Sequence, residues 1–244
     1  MWSPVDERLR PWVTGIASRT FADDTYVQAP DTATTIVLCS ASEGMHVVGP
    51  RDTARYYAAR GGTGARRTAV RLTPGRAQAL LDVPVDELVD RVVPLGELWA
   101  GVGGGAAGGG WGGAGGGGSR DAAALVSVVL ERVASVDPGP SELVLAAARL
   151  LRVRGVAETA RALHVSERQL RTVFTRAVGL SPKRFARVDR VRRVVARGGH
   201  GGWARVAAEL GYFDQAHLIA EFRAVMGVPP GAYLKGDLPA ATFC

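Results

Sequence analysis

Hydrophobic positions follow a strand-like pattern in the first part of the chain and a helical pattern in the second. Runs of β-branched or alternating residues at 34–39, 45–48 and 66–72 predict strands, the last two closed by turns that contain Gly and Pro. Apolar spacing then predicts two short helices, at 76–81 and 85–92. The first part of the chain therefore has the pattern of a mainly β domain.

From residue 121 onward the pattern is helical. Residues 122–136 predict one helix, and Ser141 is placed to cap the next, which runs to about Arg154. Between the two parts, residues 101–118 are almost entirely Gly and Ala, a composition typical of a flexible linker. This segment lacks the preceding strand and the Lys-Ser/Thr ending of a phosphate-binding loop.

The helical part contains an internal repeat with an offset of 48 residues. Each copy has a capping residue, a leucine four positions later and an aromatic residue four after that, which form one buried stripe on a helix. Each copy continues with a glycine suited to a left-handed helix end, a proline and a second aromatic residue. The positions are Ser166, Leu170, Phe174, Gly179, Pro182 and Phe185 in the first copy, and Asp214, Leu218, Phe222, Gly227, Pro230 and Tyr233 in the second.

A shorter helix precedes each capped helix, so each copy predicts a helix-turn-helix unit. Residues 156–163 turn through His164 into the first capped helix, and residues 203–210 turn through Gly211 into the second. A basic helix over 182–197 joins the two units. The second helix of such a unit fits the major groove, so two units in register predict DNA binding rather than ordinary helix packing.

Basic residues are concentrated in the repeat. Residues 149–237 hold 17 Lys and Arg against 7 Asp and Glu, a net charge of +10, whereas the remaining residues hold 13 against 16, a net charge of −3. A basic module attached to a mildly acidic one is typical of proteins that bind polyanions. Charge alone also fits a solvated basic surface, so the prediction of DNA binding depends chiefly on the repeat.

The repeat resembles the DNA-binding domain of the AraC/XylS family of bacterial transcription regulators. The resemblance covers about 144–234, and its most specific parts are the run from Val206 to Leu218 and the segment from Gly227 to Pro230. It implies seven helices, among which a long linker helix holds two recognition helices, about 166–177 and 214–226. These helices would read adjacent major-groove segments on one face of DNA.

The first part of the chain resembles a poorly characterised domain that precedes this module in actinobacterial members of the family. The stretches that carry the resemblance are 48–51, 71–77 and 81–99. They depart from the cupin-type sugar-binding domain of the best-known relatives, so no sugar ligand is implied. The aromatic residues of this part fit either a ligand pocket or, more simply, a core. They are Trp12, Phe21, Tyr26, Tyr56 and Tyr57.

Together these patterns predict an α+β protein. A mixed, mainly β N-terminal domain with short helices would occupy 1–118, include the linker at 101–118, and sense a signal or mediate dimerisation. A connecting helix would follow over 119–140. An all-α C-terminal domain over 141–237 would contain the two helix-turn-helix units and their linker helix.

The outward positions of the two recognition helices are candidates for base contacts. Arg can donate two hydrogen bonds to guanine O6 and N7, and motif position turns Arg168 and Arg171 toward the bases. The second helix is a weaker reader, because Ala216 and Ala220 offer only apolar contact, for example to a thymine methyl group. The predicted base contacts are Arg168, Gln169, Arg171, Thr172, Gln215, His217 and Ala220, and the predicted buried face of the first helix is Leu170, Val173, Phe174 and Ala177. His217 also fits a structural role.

Phosphate contacts are predicted at helix N-termini, where free N–H groups favour anions, and at basic side chains. The set is Ser166, Arg176, Ser181, Lys183, Arg184, Arg187, Arg192, Asp214 and Arg223, with Arg193 as a further candidate. A solvated charge is the alternative interpretation for each arginine.

The sequence indicates neither an enzyme nor a metal site, and no cofactor is predicted. The four histidines (His46, His164, His200 and His217) lack the paired spacing of metal ligands, and no G-x-S-x-G motif is present. Cys39 and Cys244 lie in no nucleophile motif and predict two reduced thiols. Two alternatives stay open: a bifunctional protein with an enzymatic N-terminal domain, and a nonspecific architectural DNA-binding protein.

Double-stranded DNA is the expected partner. RNA polymerase, a small-molecule effector of unknown identity and a second copy of the chain are further candidates. The chain has no run of 18 apolar residues, and its start lacks the pattern of a secretory signal. The sequence therefore predicts a cytoplasmic, nucleoid-associated protein that does not use a membrane.

Overall fold

The structure is a computed structural model that describes residues 7–20, 25–39, 44–58, 66–99, 118–137, 141–199, 201–239 and 242–243. The predicted glycine-rich linker lies outside these residues except at Gly118, as do Phe21, His200 and Cys244. The described residues form a mainly β N-terminal part and a helical C-terminal part, which confirms the predicted α+β class.

Two sheets form the framework of the N-terminal domain. Their strands are β1 (Val13–Thr20), β2 (Thr25–Gln28), β3 (Thr35–Cys39), β4 (Met45–Val48), β5 (Arg55–Ala58), β6 (Arg66–Leu72), β7 (Val92–Pro94) and β8 (Thr242–Phe243). The larger sheet is antiparallel with the order β1-β6-β3-β4-β7. In the smaller sheet, β5 pairs antiparallel with β2 and parallel with β8. Strands β3, β4 and β6 lie where the sequence predicts them.

Three helices complete this domain: α1 (Ala77–Leu81), α2 (Leu95–Leu98) and α3 (Gly118–Ala134). Leu125 and Val129 of α3 are fully buried in the same core as Ile36 and Val70 of the larger sheet. The helix that the sequence assigns to a connection over 119–140 is therefore also a structural layer of the N-terminal domain, because its apolar face covers the sheet.

The predicted helix over 85–92 is wrong. Only Val85–Leu88 is helical, as a single 3-10 turn, and Asp90 adopts a left-handed backbone with φ of 60°. The chain then extends so that Val92 and Val93 pair with β4. The hydrogen bonds of a sheet edge thus replace those of a helix, and sequence spacing alone does not reveal this choice.

The C-terminal domain consists of the two predicted helix-turn-helix units and their flanking helices. Its helices are α4 (Glu142–Leu150), α5 (Val156–Ala162), α6 (Glu167–Val178), α7 (Pro182–Arg197), α8 (Trp203–Glu209), α9 (Gln215–Met226) and α10 (Pro230–Lys235). Helix α7 joins two separate cores: Phe185 and Val188 pack in the first unit, and Val191 and Val194 pack in the second. One helix therefore fixes both units.

Helix α4 differs from its prediction at both ends. Its helical residues end at Leu150 rather than near Arg154. Ser141 precedes the helix but does not cap it, because its backbone (φ −98°, ψ 0°) is not extended and its hydroxyl accepts no helix N–H group. That hydroxyl is buried and has no hydrogen-bond partner.

Candidate nucleic-acid interface

The two units begin their second helices in the same way. The Ser166 hydroxyl accepts a hydrogen bond from the backbone N–H of Gln169 at 3.1 Å, and the Asp214 carboxylate accepts one from the N–H of His217 at 2.7 Å. Both capping residues have an extended backbone, as an N-cap requires. These contacts fix where α6 and α9 start.

The turns inside the two units also share one hydrogen bond. Val165 N–H donates to the carbonyl of Ala160 at 3.1 Å in the first unit, and Tyr212 N–H donates to the carbonyl of Ala207 at 2.9 Å in the second. Both alanines are buried, which lets the paired helices approach closely. The geometry confirms the two helix-turn-helix units that the repeat predicts.

The outward face of α6 is polar and accessible. Arg168, Gln169, Arg171 and Thr172 are all exposed, while Leu170 and Phe174 are buried on the opposite side. The Thr172 hydroxyl donates to the Arg168 carbonyl at 3.1 Å, which leaves its lone pairs and methyl group outward. The prediction for Val173 is wrong: its side chain is 37% exposed, because it lies at the edge of the helical stripe.

The outward face of α9 combines two polar residues with small apolar ones. Gln215, His217 and Ala220 are exposed, as the sequence predicts. His217 Nδ1 accepts the N–H of Phe213 at 3.4 Å, and its ring meets the Tyr212 ring edge-on with centroids 5.4 Å apart. This contact assigns the ring proton of neutral His217 to Nε2, which is then the available hydrogen-bond donor.

The predicted phosphate residues fall into two groups. The first group is exposed and lies around the starts and outward faces of the recognition helices: Ser166, Arg176, Lys183, Asp214 and Arg223. Ser181 is half-buried and begins α7, where its hydroxyl caps the helix by accepting the N–H of Arg184 at 3.4 Å.

The second group lies on α7, and three of its members pair with carboxylates within the protein. Arg184 pairs with Asp52 at 3.3 Å, Arg192 pairs with Asp31, and Arg193 pairs with Asp189 at 3.2 Å. The Nε atom of Arg187 is buried without a hydrogen-bond partner. Arg184, Arg192 and Arg193 thus already have carboxylate partners within the protein.

Asp31 joins the N-terminal domain to α7. Its carboxylate pairs with Arg71 of β6 and with Arg192 of α7, and it also accepts the N–H of Ala33 at 3.0 Å. Burial acts to raise the pKa of Asp31, but the two guanidinium groups and the hydrogen bonds outweigh it and hold that pKa below its ordinary value. The carboxylate therefore stays ionised between two arginines.

A segment that we call the interdomain strap, residues 50–56, contacts three helices of the C-terminal domain: α6, α7 and α9. Pro50 lies against the end of α6, where a Cβ atom placed on Gly179 would come within 2.6 Å of Pro50 Cγ. Ala54 N–H donates to the carbonyl of Val225 at 2.8 Å, and the Tyr56 hydroxyl donates to the carbonyl of Met226 at 2.5 Å. The strap thus contacts the C-terminal ends of both recognition helices.

The contacts that Asp31, Asp52 and Tyr56 make with the C-terminal domain are not predicted by the sequence. Asp31 and Arg192 are separated by 161 positions, and Tyr56 and Met226 by 170, so no local motif indicates these pairs. Helix α9 is also held to α7 by Arg190, which pairs with Glu221 at 3.4 Å and lies over the Tyr212 ring.

Among the described residues, no group of three or more His, Cys, Asp or Glu side chains is placed to hold a metal ion. The same residues contain no helix long and apolar enough to cross a membrane.

A family model described as a helix-turn-helix domain matches residues 159–236, from within α5 through α10. This segment is an AraC-type helix-turn-helix domain. The AraC-type domain accounts for both capped helices, for α7 between them and for the basic charge of the segment. The chain accordingly carries a DNA-binding domain of transcription regulators.

Solved structures similar to this chain include three bacterial regulators. A DNA-binding transcriptional dual regulator from Escherichia coli K-12 is 22% identical, with 38% of this chain and 96% of that chain covered and a TM-score of 0.33. An apo form of ToxT from Vibrio cholerae is 12% identical, with 91% and 96% covered and a TM-score of 0.48. CdpR from Pseudomonas aeruginosa is 21% identical, with 73% and 47% covered and a TM-score of 0.35. No curated protein matches the chain significantly.

Proposed function

We propose that the protein is a sequence-specific transcription regulator in which α6 and α9 read adjacent major-groove segments. The observation that carries this proposal is the matched pair of capped helices, each with an exposed outward face, attached to the single helix α7. An α-helix fits the major groove, and two helices fixed to one support can address two successive segments.

Helix α6 is the stronger reader in this proposal. Arg168 and Arg171 can each donate two hydrogen bonds to guanine O6 and N7, and Gln169 can pair similarly with adenine. Thr172 adds a hydroxyl acceptor and a methyl group next to Arg168. On α9, Gln215 and the Nε2 donor of His217 supply polar contacts, with Ala220 beside them.

Phosphate contacts in this proposal come from the exposed group around the helix starts. Lys183, Arg176 and Arg223 supply positive charge, and the first turns that follow Ser166, Ser181 and Asp214 supply backbone N–H groups. Arg184 and Arg192 already pair with the N-terminal domain, so we assign them to the domain interface.

The proposed setting is the bacterial cytoplasm at the nucleoid. RNA polymerase, a small-molecule effector and a second copy of the chain are the candidate partners that a transcription regulator of this type would add to DNA.

Selection of binding sites from random double-stranded DNA, with the full chain as bait, tests the proposal. A regulator should enrich one sequence. Arg168→Ala should then weaken binding to that sequence by about fivefold or more, since one bidentate contact to guanine contributes about 1–3 kcal/mol to discrimination. Binding to random DNA should change little.

Arg149→Ala provides the matched control, because it removes the same charge from an exposed position on α4, outside both helix-turn-helix units. Equal losses for Arg168→Ala on selected and random DNA would rule out base reading by Arg168. Failure to enrich any sequence would instead favour a nonspecific architectural protein.

A further inference from the structure

The outward face of α9 differs from that of α6 at equivalent positions of the repeat. With the offset of 48 residues, Arg168 corresponds to Ala216, Arg171 to Ile219, Thr172 to Ala220 and Arg176 to Ala224. A capping residue and a buried stripe recur in the two helices, while these four polar side chains of α6 are replaced by apolar ones on α9. Other outward positions of α9 stay polar, among them His217 and Arg223.

These small side chains leave an open groove along α9. Its volume is about 730 Å³, and it is lined by Ala216, Ile219, Ala220, Arg223, Ala224 and Gly227. Ala216, Ala220 and Ala224 are exposed, and no side chain of the described residues fills the groove. A partner can therefore approach this helix more closely than it can approach α6.

The charge of this face favours a polyanion over a protein. Arg223 lines the groove and is exposed. Glu221, the acidic residue nearest in sequence, pairs with Arg190 at 3.4 Å, and its side chain is only 12% exposed. The Asp214 carboxylate is engaged in capping the helix. The groove itself is lined by one cation and no carboxylate, which suits a face that lies between phosphate backbones.

The thymine C5-methyl group is the one apolar group among the distinguishing features of base-pair edges in the major groove. We propose that α9 recognises thymine methyl groups through Ala216, Ile219 and Ala220, so the target site is asymmetric. The half under α6 contains guanine, and the half under α9 is thymine-rich. This inference rests on the proposed function, because it requires α9 to lie in the major groove.

Replacing thymine by uracil in the selected DNA tests the inference, because the exchange removes only the methyl group. Each contacted methyl group should contribute about fourfold to affinity, the value expected for burial of one carbon group. Uracil in the half-site under α9 should therefore weaken binding about fourfold per contacted position. Uracil placed outside both half-sites should leave the affinity unchanged and is the matched DNA control.

A protein variant provides the second arm of the test. Ala216→Arg places on α9 the residue that α6 carries at the equivalent position, and the exposed site accommodates it without a change in the core. It should shift the preferred second half-site toward guanine and abolish the uracil effect at that position, while the first half-site stays the same. Ala134→Arg, exposed at the end of α3, adds the same charge elsewhere and should alter neither preference.

The outcomes separate the two proposals. An enriched sequence whose affinity is unchanged by uracil would overturn thymine recognition and leave the regulator proposal in place. Enrichment limited to the half-site under α6 would also overturn it, because α9 would then read no bases. Failure to enrich any sequence would overturn the regulator proposal itself.

Discussion

Gly179 and Gly227 end the two recognition helices with the same backbone conformation but in different surroundings. Their φ angles are +84° and +76°, both in the left-handed region that disfavours a Cβ atom. A Cβ atom at Gly179 would lie 2.6 Å from Pro50 Cγ and 2.9 Å from the Val85 carbonyl oxygen, whereas at Gly227 nothing lies closer than 3.9 Å. The first glycine therefore serves both the helix end and the domain interface.

This difference predicts unequal costs for the same substitution. Gly227→Ala should lower the free energy of unfolding by about 1 kcal/mol, the cost of placing alanine in a left-handed conformation. Gly179→Ala should lower it by clearly more, because Pro50 and Val85 must also move. Urea unfolding of both variants measures the difference, and equal costs would show that the strap does not press on the end of α6.

At the scale of elements, the starts of α4 and α6 show why a capping residue must be judged by its backbone as well as its type. Both helices follow a serine, but only Ser166 has the extended backbone that directs its hydroxyl to the N–H of Gln169. Ser141 has ψ of 0° and a buried hydroxyl without a partner. The sequence predicts both serines as caps and cannot separate them, because residue type alone does not fix the backbone angle ψ.

Alanine substitution distinguishes the two serines. Ser166→Ala should lower the free energy of unfolding by about 1 kcal/mol, since it removes a formed cap. Ser141→Ala should be close to neutral or slightly stabilising, because it removes a buried hydroxyl that makes no hydrogen bond. Thermal or urea unfolding provides the comparison, and a large loss for Ser141→Ala would mean that its hydroxyl has a partner after all.

Most of the C-terminal domain could be predicted from the sequence because its signals are local. The caps at Ser166 and Asp214, the helix ends at Gly179 and Gly227, and the start of α7 at Pro182 each depend on a few neighbouring residues. The outward positions of α6 and α9 follow from the same helical period. Val173 is exposed although the helical period predicts it as buried. It lies at the edge of the apolar stripe, where a side chain is buried only if a neighbouring element packs against it.

At the scale of the whole molecule, Asp31 connects parts of the chain that no local pattern relates. It lies between Arg71 of β6 and Arg192 of α7, and its pKa is held below the ordinary value of 3.8. A lowered pKa in the folded state stabilises the protein at pH values above the ordinary value. This contribution is lost as the pH falls through the pKa of the folded protein, where the carboxylate takes up its proton.

Asp31→Asn should therefore lower the free energy of unfolding by about 2 kcal/mol at neutral pH, since it removes charged hydrogen bonds and leaves two partly buried arginines unpaired. The difference in free energy of unfolding between the native protein and the variant should narrow as the pH falls below 3.8. Urea unfolding of both proteins at a series of pH values from 7 downward measures this difference. Asp86→Asn, at an exposed position, is the control and should show no such gap. A gap that does not depend on pH would contradict an ionised Asp31.

The N-terminal domain was less predictable because its structure depends on distant pairings. Strands β3, β4 and β6 have clear β-branched or alternating runs, but β1 is defined by pairing with β6 about 50 positions later, and β7 by pairing with β4. The interdomain strap begins in the turn that follows β4 and continues into β5, and the sequence marks only the turn. The role of the strap depends on how α6, α7 and α9 pack against it.

Strand β8 follows the helix-turn-helix domain in the chain yet pairs with Tyr57 and Ala58 of β5. The C-terminal domain is thus tethered at both of its chain ends, by α3 packed on the first sheet and by β8 added to the second. Moving the two domains apart would require the release of a strand as well as of surface contacts. The backbone amides of β8 would consequently report on the sheet of the N-terminal domain, for example in hydrogen exchange, although their position in the sequence follows the C-terminal domain.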